Sequence, residues 1–245
     1  MEFFDCNCMV GRWGQPQPGQ FHTADDLQRE LERCGIARAL VSHSLAKELD
    51  PGTGNAALAR ELSGRERLAP CWVVMPHHTG ELPPPDELCE RMVAQGVRAA
   101  RLFPQAHNYG LAEWCSGELL AELEKRRIPV FLDHEQTNWD EVDAVCTAHP
   151  ELPLILLRVG YRAHRFLYPL FERHPNLHVE ISWFQAHNGI ADCTRRYGAE
   201  RLLFGSALPH FTPGGPIAMI AYAQMPDDDK ALVAGGNLRR LLGER

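Results

Sequence analysis

The sequence predicts a closed barrel of eight parallel β-strands surrounded by helices, a (β/α)8 TIM barrel that residues 1–245 form as a single domain. Short runs rich in Val, Ile, Leu and Phe alternate along the chain with longer amphipathic segments. Strands that are apolar on both faces and separated by helices indicate a parallel sheet that those helices cover. Eight such units fit a closed barrel better than an open sheet, and 245 residues is an ordinary length for one.

Strands and helices follow one another in regular order. The eight predicted strands cover residues 3–8, 37–43, 68–74, 97–103, 129–133, 154–158, 177–181 and 201–205. The helices predicted between them cover residues 24–34, 54–62, 84–95, 116–126, 139–149, 162–174 and 190–197, and residues 217–242 supply one or two more. Gly35, Gly96 and Gly198 each follow a predicted helix, where glycine adopts the left-handed conformation without strain.

Composition and charge argue against several classes of protein. The formal net charge of −7 disfavours binding to nucleic acid or to an anionic membrane, because both require a basic surface. No apolar run approaches the roughly 20 residues that span a bilayer, and the N-terminus lacks the features of a signal peptide. We therefore expect a cytoplasmic protein. Its eight cysteines form no CxxC pair and are predicted to be reduced, with Cys6 and Cys8 facing the helices.

The carboxyl ends of the predicted strands carry the candidate site, because chemistry in such barrels occurs there. Polar side chains rarely end buried strands unless they are paired or functional. The candidates are Asp5, Asn7, His43, His77, Arg101, His134, Arg158, Glu180 and His210. We expect them to converge on one rim, where the two guanidinium groups suit a carboxylate or phosphate. His134, between Asp133 and Glu135, is the candidate acid–base residue.

Five segments also match a known pattern. They are Phe4-Asp5-x-Asn7-x-Met9, residues 96–104, residues 128–134, residues 201–209 and the ending Gly236-Asn237-Leu238-Arg239-Arg240-Leu241-Leu242. In this order they resemble the amidohydrolase-related family of metal-dependent hydrolases, the branch with small hydrolases and nonoxidative decarboxylases. The likeness spans essentially the whole chain, and residues 201–209 with the ending are its more specific parts. It implies a barrel enzyme that acts on a small molecule.

The same resemblance implies five ligand positions for a divalent metal, and these are the positions where the chain departs from the family. They are occupied by Asn7, Met9, His134, Arg158 and Ala207. His134 alone keeps a residue that the family uses. Zinc needs three or four nitrogen, sulfur or carboxylate donors, and a guanidinium places positive charge where the cation would bind. We therefore predict a divergent member with a degenerate metal site and no metal cofactor.

Two interpretations of the ionisable rim stay open. In one, a zinc site has moved, because enough donors are present among Asp5, His43, His77, His134, Glu135, Glu180 and His210. In the other, the rim is an internal hydrogen-bonded network in which Asp5 or Glu180 neutralises Arg158 and Arg101, since a buried arginine needs such a partner.

Two functions follow from these residues. In the first, the protein is a hydrolase or related lyase on a small anionic substrate, with His134 as acid or base and Asp5 orienting or activating it. Arg158 and Arg101 hold the anion, and the remaining candidates contact the substrate. In the second, the barrel has lost catalysis and binds a small molecule or a partner protein, because four ligand positions have changed together. An ordinary metal hydrolase is a third alternative, and a homodimer is compatible with this architecture.

Overall fold

A computed structural model describes residues 1–244 and confirms the predicted barrel. Its strands are β1 (Phe3–Val10), β2 (Ile36–His43), β3 (Leu68–Pro70), β4 (Trp72–Val73), β5 (Ala100–Leu102), β6 (Val130–Asp133), β7 (Leu154–Leu157), β8 (Leu177–Glu180) and β9 (Leu202–Leu203). All paired strands are parallel, and β3 and β4 are two halves of one barrel strand, pairing with β2 and β5 respectively. The barrel closes where Cys6 N donates to Phe204 O at 3.0 Å and Met9 N to Leu208 O at 2.9 Å.

Helices follow the strands as predicted, with a short additional helix near the rim and three helices near the C-terminus where one or two were predicted. They are α1 (Ala24–Arg33), α2 (Ser44–Glu48), α3 (Pro51–Glu61), α4 (Pro85–Ala94), α5 (Glu113–Lys125), α6 (Trp139–Ala148), α7 (His164–Arg173), α8 (Gly189–Tyr197), α9 (Gly214–Tyr222), α10 (Asp227–Ala231) and α11 (Asn237–Leu241). The short helix α2 was not predicted, and it begins directly where β2 ends. None of the helices in residues 1–244 combines the length and apolar character that a membrane crossing requires.

The apolar core has an inner and an outer part. The inner part fills the barrel with side chains from successive strands, among them Phe4, Leu40, Cys71, Ala99, Phe131, Ile155 and Leu203. The outer part joins the opposite strand faces, such as Val130 and Leu154, to the helices. Residues that are neighbours in parallel register point to the same side, so Arg101, which pairs with Phe131, also points inward. The register therefore decides which polar residues reach the barrel mouth.

A β-bulge in β1 corrects one prediction. Between Asp5 and Cys8 this strand carries one residue more than its partner β2, which shifts the alternation of side chains. Cys6 therefore lies in the inner cluster, while Cys8 lies in the outer one as predicted. Asn7, on the same bulge, lines the barrel mouth. All eight cysteines are free, as predicted.

The amino end of the barrel is tied by side chains that bond to main-chain oxygens. Arg201 is 7% exposed and donates to Pro175 O, to Leu177 O at 2.8 Å and to Phe171 O at 2.8 Å. The amide of Asn237 similarly donates to Ala199 O at 2.8 Å and Leu202 O at 2.9 Å. Segments of the family-like pattern thus supply donors to the loops that close this end.

Candidate active site

A cavity of about 210 Å³ opens at the carboxyl ends of the strands. It combines cationic, acidic, aromatic and aliphatic side chains, contributed by Asn7, Met9, Trp13, Gln17, Lys47, Arg101, Phe103, Asp133, Glu135, Arg158, Ala207, Leu208, His210 and Phe211. Four of the nine predicted site residues are among them: Asn7, Arg101, Arg158 and His210. The cavity is at the position where barrels of this kind bind their substrates.

Asp133 organises the charges of this cavity. Its two carboxylate oxygens each accept from an arginine at 2.7 Å, Oδ1 from Arg158 Nε and Oδ2 from an Arg101 terminal nitrogen. Arg158 also donates to Glu135 at 2.9 Å. Burial alone would raise the pKa of Asp133, but the two guanidinium groups outweigh it and hold that pKa below its usual value. Asp133 is therefore an anion that fixes both arginines at the mouth.

Several hydrogen-bond donors at the cavity are left free. Arg101 is 5% exposed and donates to Asn7 Oδ1 at 3.1 Å as well as to Asp133. Its Nε has no hydrogen-bond partner within the described chain, and the same holds for Asn7 Nδ2 and Trp13 Nε1. A buried donor without a partner costs about 1–3 kcal/mol, so these groups favour a ligand that supplies acceptors. An anion meets this need best.

Lys47 brings a third cation to the cavity from the unpredicted helix α2. Its Nζ lies 5.6 Å from the centre of the Trp13 ring and 5.3 Å from that of Phe103. The helix is held in place where Ser44 Oγ donates to Arg12 O at 2.7 Å. Helix α3 packs closely against it because Gly54 has no side chain, and a Cβ there would overlap the backbone of Ala46. The lysine is thus presented by a packed element rather than by a loose loop.

His210 lines the cavity beside Trp13. Its ring meets Trp13 edge-on at 4.4 Å, and Nδ1 lies 2.6 Å from Gln20 Nε2. Burial lowers the pKa of His210, and the nearby cations Arg158 and Lys47 lower it further. The imidazole is consequently neutral around pH 7.

Asp5 and Glu180 do not line the cavity, and both are fully buried. Asp5 Oδ1 accepts from Asn7 N at 2.9 Å and Ser206 N at 3.0 Å, while Oδ2 has no partner among the described residues. Glu180 accepts from both the backbone N–H and the hydroxyl of Ser182. Burial raises the pKa of Asp5 and raises that of Glu180 to about 7.

The position of Glu180 depends on its neighbour Gly205. A Cβ added at Gly205 would lie 2.5 Å from Glu180 Cγ, so the absence of a side chain there makes room for the carboxyl group. Among the described residues, Glu180 has no arginine or lysine side chain within ion-pairing distance, whereas Asp133 has two. The predicted network that would neutralise the arginines therefore uses Asp133 and Glu135 instead of Asp5 or Glu180.

Three predicted histidines are placed outside the cavity. His43 caps α2, with its Nδ1 accepting from Leu45 N at 3.1 Å. His134 follows the inward-facing Asp133, and its ring packs against Trp139 of α6 at 4.4 Å. His77 lies 4.0 Å from Glu118 of α5. The convergence expected from their positions at strand ends is wrong for these three residues, because their side chains contact α2, α6 and α5 instead of lining the cavity.

The five positions where the family resemblance implies metal ligands do not fit a divalent cation. Asn7 Oδ1 already accepts from Arg101, and the guanidinium of Arg158 carries positive charge into the same space. Met9 and Ala207 offer a thioether and a methyl group, and His134 faces Trp139. A divalent metal needs three or four imidazole, thiolate or carboxylate donors, and these five positions offer one imidazole that faces elsewhere.

A surface cluster of histidines and a larger groove are two other places where a ligand could bind. Within residues 1–244, His77, His78 and Glu118 form the one group whose ligand atoms are close enough for a metal, and it is at the surface. A groove of about 1330 Å³ lies between α7, α8 and the segment before α10. Its walls include exposed residues such as Tyr161, and it shares no lining residue with the cavity. The smaller cavity combines buried charges with free donors, which makes it the better candidate site.

Comparison with known proteins agrees with this architecture. The model of the amidohydrolase family matches residues 18–243. A TIM-barrel protein of uncharacterised function from Bordetella bronchiseptica is 16% identical with a TM-score of 0.78, each chain covered over 99% of its length. A 2,6-dihydroxybenzoate decarboxylase from Rhizobium is 15% identical with a TM-score of 0.75, covering 99% of this chain and 98% of the other. A probable 2-pyrone-4,6-dicarboxylic acid hydrolase from Acinetobacter baumannii, solved with bound citric acid, is 15% identical with a TM-score of 0.70, covering 99% and 100%. No curated protein matches the chain.

Proposed function

Because this chain belongs to the amidohydrolase family, we propose that it is an enzyme, a hydrolase or related lyase that acts on a small anionic substrate at the barrel mouth. We also propose that the reaction proceeds without a metal at the family's usual site. Structurally similar proteins include a decarboxylase and a hydrolase whose names specify carboxylic acids. Their low identity supports the fold alone, so the choice of substrate rests on the cavity itself.

The observation that carries the proposal is the set of free donors beside a fixed pair of arginines. Asp133 holds Arg101 and Arg158 in place, and Arg101 Nε and Asn7 Nδ2 remain without partners in residues 1–244. The three cations of the cavity, Lys47 included, exceed its two carboxylates by one positive charge. A carboxylate ligand supplies acceptors for the free donors and neutralises that excess charge.

This proposal changes the roles that the sequence predicted. Arg101, Arg158 and Asn7 keep their role of holding the anion, and His210, beside Trp13, contacts the substrate. The proposal assigns no catalytic role to His134 or Asp5, because neither lines the cavity.

Binding of carboxylates tests the proposal directly. We expect benzoate and citrate to bind, measured by titration calorimetry, and the uncharged benzamide to bind far more weakly. Arg101→Met should weaken binding by about tenfold to a hundredfold, because hydrogen bonds to charged groups contribute about 1.5–3 kcal/mol. The control is Arg29→Met, which removes an exposed arginine paired with Asp26 on α1. Equal binding of benzoate and benzamide would contradict an anion site.

Turnover separates the enzyme from its alternatives. Esters, lactones and small carboxylic acids should be assayed after dialysis against a chelator and again with added Zn²⁺ or Mn²⁺. Activity that survives chelation supports a reaction without a metal. Activity that appears only together with stoichiometric bound zinc would support the third alternative, an ordinary metal-dependent hydrolase.

A second candidate function is a barrel that binds an anion without transforming it. It is favoured by the metal positions, where Asn7, Met9, Arg158 and Ala207 replace the ligands that the family uses for catalysis. Saturable binding of a carboxylate with no product from any assayed acid, ester or lactone would support this function over the enzyme.

A further inference from the structure

Lys47 differs from the other lysines of the chain in having no carboxylate partner. Lys125 Nζ lies 2.9 Å from Glu122, and Lys230 Nζ lies 3.9 Å from Asp227. No carboxylate in residues 1–244 is within 4.0 Å of Lys47 Nζ. The two carboxylates of the cavity, Asp133 and Glu135, form ion pairs with arginines instead. An ammonium group that is placed in a cavity without a counter-ion needs an explanation.

The surroundings of Lys47 disfavour its charged form. Burial lowers the pKa of Lys47, and the positive charges of Arg101 and Arg158 lower it further, against an opposing effect of Asp133 and Glu135. The cation–π contacts with Trp13 and Phe103 compensate for little of the hydration energy that the ammonium group loses on burial. Both rings lie near the outer limit of such a contact, at about 6 Å. These are the two conditions, desolvation and neighbouring cations, that make a lysine amine nucleophilic.

We propose that Lys47 Nζ is a nucleophile that forms an imine with the carbonyl carbon of a small oxo carboxylate. The inference rests on the proposed function, because the free donors of Arg101 and Asn7 hold the carboxylate of that substrate. Lys47 Nζ and the Arg101 guanidinium carbon lie 5.3 Å and 5.1 Å from the centre of the same Phe103 ring. The amine and the anion donors therefore face one small cavity.

The step balances without any further reagent. The nitrogen lone pair attacks the carbonyl carbon, a C–N bond forms, and one amine proton moves to the oxygen to give a carbinolamine. The C–O bond then breaks, and the oxygen leaves as water with the second amine proton. A proton from solvent converts the imine into an iminium ion, which withdraws electrons from the adjacent carbon. Addition of water reverses the sequence and releases the amine.

Reductive trapping tests the proposal on the intact wild-type protein. The protein is incubated near pH 7 with pyruvate or acetoacetate and sodium cyanoborohydride, which reduces an imine to a stable secondary amine. Peptide mass spectrometry then locates the label. We expect Lys47 to be labelled faster than Lys125 or Lys230, because a lowered amine pKa leaves more neutral amine at this pH and the anion donors hold the carboxylate beside it. Equal labelling of all three lysines, or none at Lys47, would overturn the proposal.

Matched variants and ligands separate this inference from the proposed function. Lys47→Arg keeps a cation but removes the amine, so it should abolish the label at this position, while benzoate binding is measured on the wild-type protein. Lys125→Arg, at an exposed site, should leave labelling of Lys47 unchanged. If benzoate binds but Lys47 is never labelled, the imine fails and the anion site stands. If acetone labels Lys47 as fast as pyruvate does, the carboxylate has no role in imine formation, which overturns the choice of an oxo carboxylate, and the benzoate titration alone then decides the anion site.

Discussion

Arg101 and Arg201 lie at opposite ends of the barrel, are equally buried, and are held in different ways. Arg201 at the amino end is 7% exposed and donates to three main-chain oxygens. Arg101 at the carboxyl end is 5% exposed, is paired with a carboxylate and keeps Nε free beside the cavity. Arg201 directs its hydrogen bonds to the main chain, whereas Arg101 keeps a hydrogen-bond donor that a ligand can use. Burial alone therefore does not distinguish a structural arginine from a functional one.

Removing Arg201 should have the largest effect on stability. In Arg201→Met the oxygens of Pro175, Leu177 and Phe171 lose their donor, and we expect the free energy of unfolding to fall by about 3–5 kcal/mol. Urea denaturation measures this loss. Arg101→Met should cost less, about 1–3 kcal/mol, since Arg158 still pairs with Asp133. A larger loss in Arg101→Met than in Arg201→Met would reverse the comparison.

The same contrast applies to two buried carboxyl groups, and it predicts a pH dependence. Burial raises the pKa of Glu180 to about 7, whereas two arginines keep the pKa of Asp133 low. The protonated form of Glu180 is favoured in the folded state. Its stabilising effect is therefore complete below pH of about 4.5 and is lost as the pH rises through about 7.

In Glu180→Gln this part of the pH dependence should disappear. The wild type should lose about 3 kcal/mol of unfolding free energy between pH 4.5 and 7 through this group, and the variant should not. Urea denaturation at a series of pH values measures both slopes. Parallel curves for the two proteins would mean that Glu180 is ionised in the folded state throughout.

The smallest expected effect concerns two buried asparagines, one at each end. Asn237 donates twice to main-chain oxygens, so Asn237→Ala should cost about 1–3 kcal/mol. Asn7 Nδ2 has no partner within the described residues and Oδ1 accepts one bond, from Arg101, so Asn7→Ala should cost less, about 1 kcal/mol, and should mainly weaken carboxylate binding. Thermal unfolding and calorimetric titration of both variants test this. Equal stability losses without a change in affinity would remove Asn7 from the site.

The barrel could be predicted from the sequence because its apolar strands and amphipathic helices repeat in regular order. The site was harder to predict, because it depends on the direction of each side chain. Phe131 points into the barrel, so alternation places Asp133 inward and His134 outward, a signal that was available in the sequence. The bulge at Cys6 and Asn7 had no such signal, since one extra residue leaves the apolar pattern intact.

Lys47 was missed for a different reason. It lies on a helix of five residues, Ser44–Glu48, that is too short to show an amphipathic period. The available signal was chemical, since it is one of three lysines and follows closely after a strand that ends at the rim. Residues on the segments just beyond strand ends need the same attention as those on the strands.

The close approach of Glu180 to Gly205 also has an evolutionary consequence. Any side chain at position 205 would displace the buried carboxyl group, because the Cβ alone would lie 2.5 Å from Glu180 Cγ. A side chain at position 205 therefore requires a smaller residue at position 180. Across relatives of this chain we expect a residue other than glycine at position 205 only where position 180 carries a smaller side chain than glutamate.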